Sequence, residues 1–348
     1  MQRQLPGTLI ACGFVALAAC AGLAPSDPDN ALLQQARAIF KPLPAHFGDA
    51  EHPVTPERVV LGRMLFFDTR ISLDGTSGCA RCHQPFLYGT DGLAKVIGVK
   101  DRMGRRNAPT VLNAALQISQ HWNGDRASPE DQAMKSLLGP PSFGNPDYAA
   151  AMARINAIPG YRASFEKVFP GEKKPVTPEN WAKAIGAYVR TLVTPDPFDA
   201  FLNGDANALS PRQQTGLRKF ITTGCAGCHG GVGLGGGTYQ KFGIFEEYWK
   251  ATGSKTLDRG YIEVTNDPAH LYFFKVPPLR NVAMTPPYFH DGSVASLSEA
   301  VKIMARLQLG KTPSDEDVGD IVAFLNSLTG KLPKDFVTVP ILPAAAFN

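Results

Sequence analysis

Two short runs of the sequence have the residue types and spacing needed to attach a redox cofactor. They are Cys79-Ala80-Arg81-Cys82-His83 and Cys225-Ala226-Gly227-Cys228-His229, each with two thiols separated by two residues and followed directly by a histidine. Two such thiols can bond to the vinyl groups of one porphyrin, and the adjacent imidazole can then bind the iron. The spacing therefore predicts two covalently attached c-type haems, with His83 and His229 as their proximal ligands.

Zinc binding and a thioredoxin-like redox motif are alternative interpretations of the paired cysteines. A structural zinc ion needs four ligands around one metal. The two runs lie far apart in the sequence, and each has its own histidine. We therefore favour haem attachment at both sites.

The N-terminus has the pattern of a bacterial export signal. Arg3 precedes an apolar stretch over residues 9–19 that is too short to span a bilayer but typical of a signal-peptide core. The stretch ends in Leu17-Ala18-Ala19-Cys20, which resembles a lipobox, so we expect a periplasmic protein with a lipid anchor at Cys20. An ordinary signal peptide cut later, for example after Ala24, is the alternative.

Six cysteines in an exported protein would normally indicate a disulfide framework. Here four of them belong to the haem motifs, and the other two, Cys12 and Cys20, lie in the export signal. Cys12 is lost on cleavage in both interpretations of that signal, and Cys20 is either lost or lipidated. No cysteine is therefore expected in a structural disulfide.

Length and composition are those of a globular protein. The chain has 348 residues, of which 44% are hydrophobic and 19% charged, with a formal net charge of +4. No run of Lys and Arg marks a nucleic-acid interface or a polybasic membrane patch. The length suits two compact domains.

A similar helical pattern precedes each haem motif. Thr55-Pro56-Glu57 starts a helix that leads through Phe66 to the first motif, and Ser210-Pro211-Arg212 starts one that leads through Phe220 to the second. Ser or Thr as N-cap with Pro at the first helical position is a strong start signal. The chain therefore has the pattern of two cytochrome c-type halves.

The remaining elements complete a mainly α fold. Thr177-Pro178 starts a further helix, the last one starts at Ser314, and glycines over residues 230–237 would let backbone pass close to a haem. Nothing in the pattern indicates a large sheet. The predicted ranges are a signal peptide at 1–20, a tether at 21–30, an N-terminal domain at 31–205, a C-terminal domain at 206–330 and a tail at 331–348.

Several longer motifs, in this order, resemble the bacterial dihaem cytochrome c peroxidase family, which includes the enzyme that matures the tryptophan-derived cofactor of methylamine dehydrogenase. The similarity runs from about Thr55 to Pro343. It is carried by Leu65-Phe66-Phe67-Asp68, Arg106-Asn107-Ala108-Pro109-Thr110-Val111, Phe274-Lys275-Val276-Pro277-Pro278-Leu279-Arg280-Asn281, Pro287-Tyr288-Phe289-His290-Asp291-Gly292 and Pro340-Ile341-Leu342-Pro343. The resemblance implies two mainly α-helical cytochrome c domains packed face to face.

The resemblance assigns different roles to the two haems. In the family the second haem has a high potential and a methionine as sixth ligand, and Met304 stands at the matching position. The first haem is the peroxide site, which many members block in the oxidised state with a loop histidine. Val99 stands there in this chain, so we expect an open first haem. Met103 in the same loop is a less favoured substitute ligand.

Other family positions imply the remaining site residues. Trp122 matches a tryptophan between the haems that can relay electrons, and Gln132 matches a distal glutamine of the peroxide pocket. The usual distal glutamate is replaced by Ser142, which leaves the acid-base group open. The candidates nearby in the sequence are Glu130, Asp131 and His121.

The resemblance also implies an interdomain calcium site. Asn107 would supply a side-chain oxygen, and Thr285 and Pro287 would supply backbone carbonyls. His290 lies beside this site and is interpreted as a hydrogen-bonding histidine near the second haem, not as an axial ligand.

The function expected from these residues is reduction of hydrogen peroxide by electrons from a small c-type cytochrome or a cupredoxin. Oxidation of residues on a partner protein through a high-valent dihaem state is an alternative that Val99 and Ser142 permit. A non-catalytic electron-transfer dihaem cytochrome is a second alternative. A homodimer is common in the family, but no residue in the sequence establishes one.

Overall fold

The computed structural model describes residues 28–344. The predicted signal peptide, the lipobox and residues 21–27 of the predicted tether lie outside the described residues. Residues 28–30 of that tether belong to the first turn of a helix.

The described residues form fourteen α-helices and one small sheet, which confirms the expected mainly α fold. The helices are α1 (Pro28–Ile39), α2 (Pro56–Phe67), α3 (Cys79–Cys82), α4 (Pro129–Ser136), α5 (Tyr148–Asn156), α6 (Pro159–Val168), α7 (Pro178–Val189), α8 (Pro197–Leu202), α9 (Pro211–Thr223), α10 (Tyr248–Thr252), α11 (Ile262–Thr265), α12 (Leu297–Leu309), α13 (Asp315–Asn326) and α14 (Lys334–Val337). Strands β1 (Tyr239–Lys241) and β2 (Phe273–Lys275) pair antiparallel, with Tyr239 opposite Lys275.

The helices ahead of the two haem motifs start as the sequence predicts. At α2 the hydroxyl of Thr55 accepts a hydrogen bond from the Arg58 amide at 3.3 Å. At α9 Ser210 and Gln213 form a reciprocal capping box, in which each side chain accepts a bond from the other residue's amide. Both helices carry Pro at the first position, where a missing N–H costs nothing.

Each of these helices packs against a later helix of its own half through a glycine. A Cβ at Gly62 of α2 would overlap the carbonyl oxygen of Ala184 in α7, and one at Gly216 of α9 would overlap that of Asp320 in α13. Glycine is needed at both positions because the helix backbones approach this closely. The same pairing thus occurs in both halves.

Each hydrophobic core receives a segment from the opposite end of the chain. Leu32 and Ala36 of α1 are buried in the second core, together with Phe324 of α13. Conversely, Phe336 of α14 is buried in the first core, with its ring centroid 6.2 Å from that of Phe66. Each end of the chain therefore covers the core of the opposite half, because an amphipathic helix does not encode which half will cover its apolar face.

Two further features concern residues 28–344 as a whole. None of the helices between residues 28 and 344 is both long and apolar enough to cross a membrane. The four cysteines of this part of the chain form no disulfide bond with one another.

Candidate haem-binding sites

The first motif is one helical turn that presents a histidine with a defined tautomer. The amide of His83 donates to the carbonyl of Cys79 at 3.0 Å, which closes the turn. Nδ1 of His83 lies 2.9 Å from the carbonyl oxygen of Gly89. Since a carbonyl only accepts, Nδ1 carries the proton and Nε2 keeps its lone pair for iron. Burial lowers the pKa of His83, which favours the neutral, metal-binding form.

The second motif repeats this design. Its turn is a 3-10 helix at Cys225–Gly227, and Nδ1 of His229 lies 3.1 Å from the carbonyl oxygen of Leu234. Burial lowers the pKa of His229 to about 4, so its imidazole is neutral across the physiological range. The carbonyl of Leu234 comes from the glycine-rich segment that the sequence predicted to lie close to a haem.

The zinc alternative is tested by what surrounds the cysteines. Burial raises the pKa of Cys79 to about 12 and that of Cys225 to about 11, so both thiols are protonated at neutral pH. Among residues 28–344, no three side chains of His, Cys, Asp or Glu are grouped as a metal site would require. The zinc interpretation is therefore not supported.

A large cavity lies beside the second motif and contains about 1680 Å³ of space, part of it open to solvent. Cys225, Cys228 and His229 line it, and Met304 of α12 lies on the wall of the same cavity. The rest of that wall is mainly apolar and includes Leu297, Val301, Ile321 and Leu325. Two thiols, a neutral imidazole with a free Nε2 and apolar walls fit a covalently bound porphyrin.

The cavity extends to the boundary between the two halves. The indole N–H of Trp122 donates to the carbonyl of Asn107 at 3.0 Å. The amide of Asn107 in turn donates to the carbonyl of His290 at 2.8 Å. Thr285 and Pro287 line the same cavity. The structure thus brings Trp122, His290 and the three residues of the predicted calcium site to one place.

Comparison with known proteins agrees with this arrangement. Residues 56–207 match the family described as "Di-haem cytochrome c peroxidase". A cytochrome c551 peroxidase of Pseudomonas aeruginosa is 40% identical, over 97% of this chain and 96% of the relative. The chain belongs to the di-haem cytochrome c peroxidase family. The methylamine utilization protein MauG of Methylorubrum extorquens is 32% identical over 96% of both chains.

A solved structure supports the fold of this family member. It is a MauG-like protein associated with microbial copper homeostasis, with a TM-score of 0.74 and 27% sequence identity. The match covers 86% of this chain and 97% of that protein. The fold expected from the resemblance, two haem domains in a mainly helical chain, is therefore confirmed.

In the first half of this di-haem protein, Gln132 has an unsatisfied side-chain oxygen. Its Oε1 is buried and has no hydrogen-bond partner anywhere in residues 28–344. A buried acceptor normally has a partner, so this oxygen is suited to a group that binds there. The residue lies on α4, whose position is set by a hydrogen bond from the Trp181 indole to the Ala133 carbonyl.

The two acidic residues considered as replacements for the distal glutamate are held by other partners. Glu130 forms two hydrogen bonds to the Arg190 guanidinium, at 2.8 and 3.1 Å. Burial opposes ionisation of Glu130, but its bonds to Arg190 outweigh that effect and lower its pKa. Asp131 pairs with Lys135 at 2.8 Å and accepts a bond from the Ala127 amide.

The third candidate, His121, pairs with another acid. Its Nδ1 lies 2.7 Å from Oδ1 of Asp125. Asp125 also pairs with Arg126 at 2.7 Å, so all three candidates for the distal acid-base group are held by other partners.

The two positions that depart from the family pattern lie in adjoining loops. Val99 is fully buried, and a Cβ at Gly144 would lie 2.6 Å from its Cγ1. A Cβ at Gly98 would overlap the carbonyl oxygen of Pro141, next to Ser142. Met103, the alternative ligand in the Val99 loop, is 67% exposed. The structure thus places Met103 on the surface and Val99 against the loop that contains Ser142.

Sequence reasoning missed two buried groups on the cavity wall. Arg280 donates to Asp196 at 2.6 Å and to Asp199 at 2.8 Å, and it joins the segment between the halves to the second haem site. Lys275 is 4% exposed and also lines the cavity. The available signal was a charged residue within the apolar Phe274-Lys275-Val276-Pro277 run.

Proposed function

We infer that this chain is a dihaem peroxidase that reduces hydrogen peroxide to water with electrons from a small cytochrome. The observation that carries the inference is the pair of Nδ1-anchored histidines, His83 and His229, each next to two cysteine thiols in its own half. The similarity to a cytochrome c551 peroxidase over 96% of that protein supports the same reaction.

We propose that the second site is the electron-entry site. Bound haem supplies the electron transfer and the peroxide chemistry, and this chain positions it. His229 and Met304, which line the same cavity, would hold the iron. A thioether ligand favours ferrous iron and raises the potential. The indole of Trp122, oriented by its bond to the Asn107 carbonyl, lies where it could relay electrons to the first half.

We propose that the first site binds peroxide. Val99 cannot ligate iron, which leaves the face opposite His83 available. The free Oε1 of Gln132 can accept a hydrogen bond from the peroxide and so orient it. Glu130 and Asp131 are tied to cations, so we infer that proton transfer depends on solvent near Ser142 and is slower than with a carboxylate.

The calcium site, the location and the other partners are parts of the same proposal. The side-chain N–H₂ of Asn107 donates to the Leu93 carbonyl at 2.7 Å, which leaves Oδ1 for a hard cation together with the carbonyls of Thr285 and Pro287.

We further propose a periplasmic protein anchored through lipid at Cys20, as the lipobox-like run suggests. A cupredoxin is a second possible donor, and a homodimer a possible assembly.

A second candidate function is oxidation of residues on a partner protein. It is favoured by the adjoining Val99 and Ser142 loops, which lack the histidine and the glutamate typical of the family, and by the similarity to MauG. A donor-linked assay separates the two functions. We expect peroxide-dependent oxidation of reduced cytochrome c by the dihaem protein, and its absence would exclude the peroxidase.

The resting electron paramagnetic resonance spectrum tests the third possibility, a plain electron-transfer cytochrome. We expect one high-spin and one low-spin ferric haem. Two low-spin haems would contradict the open first site and favour electron transfer without catalysis.

A further inference from the structure

Lys275 places a positive charge inside the wall of the haem cavity. It is 4% exposed, and its neighbours in the chain, Phe274 and Val276, are buried and apolar. Lysine is almost never fully buried unless it is paired, because desolvation of an ammonium group is costly. A buried lysine at a ligand cavity therefore indicates an anionic partner.

The described protein groups do not supply that partner. Lys275 takes part in no ion pair with any carboxylate of residues 28–344, and its Nζ contacts the neutral Oε1 of Gln117. Burial alone lowers its pKa to about 7. The other cation of the cavity, Arg280, already has Asp196 and Asp199 as partners.

The chemistry of haem c indicates where an anion would lie. The vinyl carbons that bond to cysteine and the two propionates lie on opposite edges of the porphyrin. Cys225 packs against the second core, so the thioether edge lies inside the second half. Lys275 lies on the side of the cavity that faces the first half. Its amide donates to the Trp122 carbonyl at 2.9 Å and its Nζ contacts Gln117, and Trp122 and Gln117 both belong to the first half.

We propose that Lys275 binds a propionate of the haem attached at Cys225 and Cys228 and so holds that haem edge against the first half beside Trp122. The inference rests on haem attachment at the second site, which is part of the proposed function, but not on peroxide turnover. Lys275 is a positioning residue. A cation beside the haem also stabilises the reduced form, because reduction lowers the positive charge of the iron.

The test uses the full-length dihaem protein with three substitutions. Lys275→Met removes the charge, Lys275→Arg keeps it, and Lys255→Met removes an exposed lysine of the same half as a matched control. The measurements are the midpoint potential of the low-spin haem by spectroelectrochemical titration and the propionate bending bands by resonance Raman. We expect a lower potential and shifted bands in Lys275→Met, and values close to the unmutated protein in the other two.

Unchanged potential and unchanged propionate bands in Lys275→Met would overturn the proposal. If Lys275→Met loses the second haem while Lys275→Arg keeps it, the charge is required and the proposal stands. Loss of that haem in Lys275→Arg as well would show a packing role and overturn it. The haem content of the unmutated protein, measured as pyridine haemochrome, separates these outcomes from failure of haem attachment itself.

Discussion

The two haem-binding motifs have similar histidine-bearing turns but differ in the other residues that we assign to each site. Each follows a helix that starts with Pro after a Ser or Thr cap, and each histidine has its Nδ1 at a backbone carbonyl. His229 and Met304 line the same cavity. In the first half, Val99 and the Ser142 loop are packed together and Gln132 has a free buried oxygen. One attachment unit can therefore serve electron entry or peroxide binding, depending on the residues that face it.

Removing the sulfur of Met304 should have the largest effect on this difference. In Met304→Leu the apolar volume of the cavity wall is kept, but the thioether that we propose as a ligand of the second haem is lost. We expect the steady-state rate with reduced cytochrome c to fall about 100-fold, equivalent to about 2.7 kcal/mol in the barrier. Val301→Ala, on the same helix and cavity, is the control. A rate in Met304→Leu equal to that of the control would contradict Met304 ligation.

Introducing a histidine at Val99 should block the first haem site, as a loop histidine does in many family members. We expect Val99→His to convert the high-spin haem at rest to low-spin and to slow the reaction of the oxidised protein with peroxide by about tenfold or more. Val99 is buried against Gly144, so the loop must shift, and Val99→Leu controls for added bulk. Stopped-flow mixing with peroxide and resting spin state are the readouts. An unmutated protein already low-spin at both haems would show that another residue fills the site.

Restoring a distal carboxylate should increase the rate of peroxide reduction at the first site. We expect Ser142→Glu to raise kcat for peroxide by about tenfold, since a positioned acid-base group commonly contributes at least that much. The glutamine of Ser142→Gln has nearly the same shape as glutamate but no acid group, so this variant should leave kcat near its original value. Equal rates for both variants would mean that proton transfer is not limited at this position.

Breaking the Glu130 pair should affect the stability of the first half and leave peroxide turnover almost unchanged. Glu130 has Arg190 at 2.8 Å and His52 at 3.8 Å, and its folded pKa is lowered. The stabilisation is therefore present above the unfolded pKa and lost as pH falls through the folded one. We expect Glu130→Gln to cost about 2 kcal/mol at pH 7 and little in strong acid, measured by denaturant unfolding.

The exposed pair of Glu166 with Arg162, at 3.1 Å in the same half, is the control for that experiment. Glu166→Gln should change the free energy of unfolding by about 0.5 kcal/mol or less, because solvent screens the pair. If Glu130→Gln lowers the free energy of unfolding by the same amount at every pH, the loss comes from packing and not from the ion pair.

The parts of this protein that depend on neighbouring residues could be predicted from the sequence. The Cys-x-x-Cys-His runs, the caps at Thr55 and Ser210 and the helix from Thr177 are local patterns, and the structure has the predicted turn or helix at each one. The replacements at Val99 and Ser142 were also visible, because single positions can be read against the family motifs.

How distant segments meet could not be predicted from local patterns and is seen in the folded chain. It placed α1 in the second core and α14 in the first, brought the Val99 and Ser142 loops together, and committed Glu130 to Arg190. It also showed Lys275 buried on the cavity wall without a carboxylate partner among the described residues. These contacts join residues far apart in the chain, and the spacing of side chains along a helix or strand does not specify which distant surface will cover them.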